Sequence, residues 1–71
     1  MNQNSEIVFV VEESPEGGFE AIALGYSIVT EAETVDEIKV SIIEAVRSYF
    51  GPSELPSSIK LHHIKDEVIA L

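Results

Sequence analysis

The 71-residue chain is long enough for one domain with a thin core and no more. It contains no cysteine, which excludes disulfides, thiolate metal sites and cysteine nucleophiles. Thirteen Asp and Glu stand against four Lys and Arg, a net charge of −9, so direct binding of nucleic acid by this chain is not expected; the surplus acid would attract a basic protein partner, or serve only to keep a small protein soluble.

Residues 1–5 carry no basic region leading into a long apolar run, and we read them as a flexible N-terminal segment rather than a secretory signal. The longest apolar stretch, Ile7 to Val11, is too short to cross a bilayer. A soluble, cytoplasmic protein is expected, with no membrane contact. Glu6 to Glu12 (EIVFVVE) is β-branched and apolar on both alternating faces. That pattern predicts a strand covered on both sides, or one with a helix on one face and a partner on the other. Glu13 to Gly18 is a turn, because Pro15 fixes φ and Gly17-Gly18 permit positive φ. Phe19 to Leu24 follows as a second strand, with Phe19, Ala21 and Ala23 on one face and Ile22 and Leu24 on the other. Together the two strands predict an antiparallel hairpin.

Gly25 punctuates, and Tyr26 to Ala32 reads as a third strand. Thr34 then offers an N-cap, with Glu37 at the capping-box spacing and Glu33 and Asp36 placed to meet the positive end of a helix dipole. The helix is predicted from Val35 to about Phe50. Val35, Ile38, Ile42, Ala45, Val46 and Tyr49 form its apolar stripe, and Gly51-Pro52 is the expected Gly cap and Pro stop. After a loop around Pro56, Ile59 to Ile64 alternates as a fourth strand that Val68 to Leu71 would extend. The resulting fold class is α+β, in the order β-β-β-α-β: one domain over residues 1–71, an antiparallel meander with one helix packed on one face. One helix cannot cover both faces of a sheet, so the second face asks for a partner or another copy of the chain; a homo-oligomer, with a dimer favoured, is expected.

The residues that could carry chemistry are few. His62 and His63 are adjacent on a strand and point to opposite faces, so they cannot ligate one ion together. Glu12, Glu13, Glu16 and Glu20 gather around the first hairpin, but turn acids are usually solvated, and an enzyme would need them to converge with a histidine. Gly17-Gly18 lacks the following helix and the Lys of a phosphate loop. Tyr26, Tyr49 and the phenylalanines sit at core spacing. Val40, near the polar face of the helix, gains interest only if it joins Ile43 and Arg47 in a patch. We therefore expect no catalytic residue, no metal ligand and no cofactor. Glu12, Glu13, Glu20, Val40 and Arg47 remain as candidate partner-binding residues.

The segment Ile7 to Val11, followed by Glu12-Glu13-Ser14-Pro15-Glu16-Gly17-Gly18-Phe19-Glu20-Ala21, resembles the opening of HicB-like antitoxin domains: a strand, an acidic Pro-x-Gly-Gly turn, then aromatic-x-Ala. Thr30 to Glu37 is similar to the family's entry into its helix. The resemblance covers about Glu6 to Phe50. It implies a partly RNase H-like fold without that fold's catalytic carboxylates, and a non-enzymatic role in masking a small basic ribonuclease toxin. The chain departs from the family pattern at Leu24 to Ile28, where a Pro-Gly-Cys stretch is usual, and carries no DNA-binding module within these residues, as compact stand-alone relatives do. The alternative expectation is a homo-oligomeric regulatory or scaffold domain without a toxin.

Overall fold

A computed structural model describes residues 5–65 and 67–71. Strand β1 (Glu6–Glu13) and strand β2 (Phe19–Ala23) form the expected antiparallel hairpin, in the register Val11↔Ala21 and Glu13↔Phe19. The turn between them closes where the Ser14 amide donates to the Gly18 carbonyl at 2.9 Å and the Gly17 amide to the Ser14 carbonyl at 3.0 Å. Gly17 and Gly18 both take positive φ, +101° and +80°, as the Pro-x-Gly-Gly sequence requires.

Strand β3 (Val29–Ala32) is shorter than the predicted run from Tyr26. The Ala23 amide donates to the Ile28 carbonyl at 3.0 Å and Gly25 takes a φ of +85°, so residues 24–27 are spent on the turn. Helix α1 (Val35–Tyr49) begins at Thr34, whose hydroxyl accepts from the Glu37 amide at 3.1 Å. Its end differs from the expected glycine cap. Phe50 turns extended while its amide still donates to Val46, and Gly51 has a φ of −70°. Pro52 accounts for this: a residue before proline is biased to extended backbone, which disfavours the left-handed cap at Gly51. Pro52–Glu54 instead forms a 3-10 turn with proline in its first position.

Strand β4 (Ser58–Ile64) runs parallel to β1, pairing Ile7 with Ile59 and Phe9 with Leu61. The sheet is therefore a three-stranded antiparallel meander with a fourth strand added beside the first, in spatial order β3-β2-β1-β4. Of the expected flexible segment 1–5, residues 1–4 lie outside the described residues. Ser5 is tied in, its carbonyl accepting from the Ser57 amide at 2.8 Å. Val68 to Leu71 belong to no strand.

The core lies between one sheet face and α1. It comprises Ile7, Phe9 and Val11 from β1, Ala21 and Ala23 from β2, Ile28, and Ile38, Ile42 and Val46 from the helix. Each of the larger side chains stabilises the fold by roughly 1.5–3 kcal/mol through burial. The helix backbone runs close to β3 and β2, where Thr30 and the small Ala21 and Ala23 line the sheet and leave room for it. No polar side chain among the described residues is buried.

Candidate functional site

Residues opposite one another in a sheet lie on the same face. With Ile7, Phe9 and Val11 turned to the helix, the reverse face must carry Val8, Val10 and Glu12 of β1, together with the residues paired to them. Two rows cross it. One reads Val29, Ile22, Val10, His62 from β3 to β4, and the next reads Glu31, Glu20, Glu12, Ile64. Leu24 and Lys60 flank Val8 to either side, the Leu24 amide donating to the Val8 carbonyl at 2.9 Å.

No element among the described residues covers this face. Val29 and Leu24 are 58% and 56% exposed, while Val8, Val10 and Ile22 are half-buried only by their neighbours in the sheet. The result is an apolar band bordered by three carboxylates on successive strands. Like charges directly opposite one another weaken a sheet, and here Glu12 faces Glu20 and Glu20 faces Glu31. Such a row is best satisfied by something cationic laid across it.

Of the residues singled out in the sequence, Glu12 and Glu20 meet on this face, and Glu31 completes their row. Its alternation with Val29 was the available signal, but only the β2–β3 register places it beside Glu20. Glu13 is separated from them: it pairs with Phe19, so it belongs to the helix side, and is exposed. Val40 and Arg47 lie in the other layer, on α1, and line two different hollows. Val40 borders a shallow one with Glu31, Glu33, Asp36 and Glu37, and Arg47 borders an apolar groove described below. The five candidates therefore do not form a single site.

His62 and His63 fall on opposite faces, across from Val10 and Val11. Among the described residues, no three histidine, aspartate or glutamate side chains are grouped to hold a metal ion. Tyr26 and Tyr49 are exposed rather than in the core, because Tyr26 lies in the β2–β3 turn and Tyr49 is the last residue of α1. With Phe50 they form an edge-to-face trio, ring centres 5.0–5.9 Å apart, that ties the turn to the helix end.

A second apolar feature is a groove of about 460 Å³ between α1 and β4. Ile42, Ile43 and Val46 line it from the helix, Ile59 and Leu61 from the strand, and Leu55 and Pro56 from the connection, with Lys39 and Arg47 also at its wall. No helix among the described residues is long and apolar enough to cross a membrane.

Two relatives match the sequence over most of their length. A Thermotoga maritima protein named UPF0150 protein is 34% identical over 71 residues, all of both chains. An Archaeoglobus fulgidus protein of the same name is 40% identical over 50 residues, 70% of this chain and 74% of the relative. No family model matches the chain, and no solved structure matches it.

Proposed function

This chain belongs to the UPF0150 family, and on that premise we propose that it is a non-catalytic protein-interaction domain of the HicB-like antitoxin type, holding a small basic protein against its open sheet face. One observation carries the reading: a bare apolar band beside the carboxylate row Glu12, Glu20, Glu31. Apolar contact supplies the affinity of such a surface, and the acids choose the sign of the partner and speed its approach. The net charge of −9 acts in the same direction over longer range. The turn and cap motifs that resemble HicB-like domains point to a ribonuclease toxin as the class of partner.

The test is titration calorimetry of the purified chain against any small basic protein encoded beside it. Binding is expected, with affinity falling as salt rises. Glu20→Lys should weaken it by tenfold or more while leaving the circular dichroism spectrum unchanged. Absence of binding, or equal binding by the variant, would overturn the proposal.

A further inference from the structure

Residues 67–71 continue beyond β4 and are all exposed among the described residues: Val68, Ile69 and Leu71 are 94%, 83% and 121% exposed. Three large apolar side chains within four residues, all bare, are costly to leave in water. The same chain also carries an apolar groove between α1 and β4.

A tail cannot readily fill the groove of its own copy. The groove runs along β4 from Ser57 and Ser58 to Leu61 and is deepened at its Ser58 end by Leu55 and Pro56, while the tail leaves from the far end of the strand, past Ile64. Seven strand residues separate those ends by about 20 Å. The six steps from Lys65 to Leu71 span at most about 20 Å when fully extended, and reversing direction consumes part of that reach. Folded back on its own copy, the tail would meet the Leu61 side of the groove, and only Leu71 would reach the end formed by Leu55, Pro56 and Ser58. A second copy has no such constraint.

Charge adds an independent argument for this occupant. The chain has only four Lys and Arg, and two of them, Lys39 and Arg47, line this groove. In the sequence, Asp66 and Glu67 immediately precede the apolar tail. A tail entering the groove would bring acids toward the two cations as its apolar residues met Ile43, Leu55 and Ile59.

We propose that the chain forms a two-fold dimer by exchanging tails, Val68 to Leu71 of each copy lying in the α1–β4 groove of the other. A two-fold axis makes the contact reciprocal, so each dimer buries the tail–groove contact twice. Of the groove residues only Ser58, which pairs with Glu6, shares the alternation of the open sheet face, and it lies apart from the apolar band and the carboxylate row, so the dimer is independent of whether that face holds a basic protein.

Sedimentation velocity on the full chain tests this. The expected species has twice the 7.8 kDa mass of one chain. A tail variant, Ile69→Asp with Leu71→Asp, should raise the dimer dissociation constant at least tenfold. Both side chains are exposed in the single chain, so its folding is left intact. A groove variant, Ile43→Asp with Leu55→Asp, should do the same, again at positions already exposed. Mixed one to one, the two variants should associate more tightly than either alone, because the mixed pair keeps one intact tail and one intact groove. A full chain that stays monomeric, a dimer indifferent to the tail substitutions, or a mixture as monomeric as its parts would each overturn the proposal.

Discussion

A methyl group added at Gly18 would stand 2.8 Å from the Ala32 carbonyl oxygen, on backbone whose φ of +80° already disfavours any L side chain. At Gly17 the φ is +101°, but the added group would meet open space. Gly18→Ala is therefore expected to cost about 2 kcal/mol or more and Gly17→Ala about 1 kcal/mol, compared by urea unfolding. A turn needing positive φ is legible from Pro-x-Gly-Gly itself. Which glycine is crowded is not, because the crowding comes from Ala32 on a strand that the local sequence does not specify as a neighbour. Glu20 makes the complementary case. It lies between Glu12 and Glu31, so Glu20→Gln should stabilise the isolated protein by about 0.5 kcal/mol. If the row serves a cationic partner, the same substitution weakens binding, and stability and affinity move in opposite directions.

At the scale of elements, α1 depends on its first turn, where the Thr34 hydroxyl satisfies the Glu37 amide. Thr34→Ala should lower stability by about 1 kcal/mol, while Thr34→Asn, which keeps an acceptor, should lower it little. Denaturant midpoints of the two variants decide this. The hairpin, the helix and the fourth strand were legible because each rests on local chemistry: turn residues, a cap, and apolar spacing. The elements that came out differently depend on something beyond that spacing. The third strand loses Tyr26 to Ile28 because the Ala23–Ile28 hydrogen bond closes a turn there, although the residues themselves have strand character. Gly51 does not cap the helix because Pro52 governs its backbone. The position of β4 beside β1 comes from a pairing between distant segments, which no periodicity encodes.

For the molecule as a whole, the excess of acid makes stability depend on ionic strength. Thirteen carboxylates against four Lys and Arg repel one another, and that repulsion, the Glu row included, is screened by salt. The thermal midpoint is expected to rise as sodium chloride increases from about 10 to 200 mM; a fall would mean that attractive ion pairs dominate. The sequence made it plain that one helix leaves a sheet face open. It could not arrange the site on that face, because Glu12, Glu20 and Glu31 come from three strands whose alignment exists only in the folded sheet.

The parallel pairing of β1 with β4 also sets a schedule for the nascent chain. β1 can close a hairpin with β2 as soon as both have emerged from the ribosome, but its other edge is completed only when Ile59 reaches Ile7. At about 5–20 residues per second, the intervening synthesis takes several seconds, on the order of 3–10 s. During that interval a strongly β-forming run, Ile7 to Val11, presents a bare edge to every neighbouring chain. Glu6 on one side and Glu12-Glu13 on the other flank it with charge, the arrangement that keeps unfinished strands from sticking together. These glutamates are thus placed to keep the run apart from neighbouring chains during translation, before there is a folded surface for them to equip.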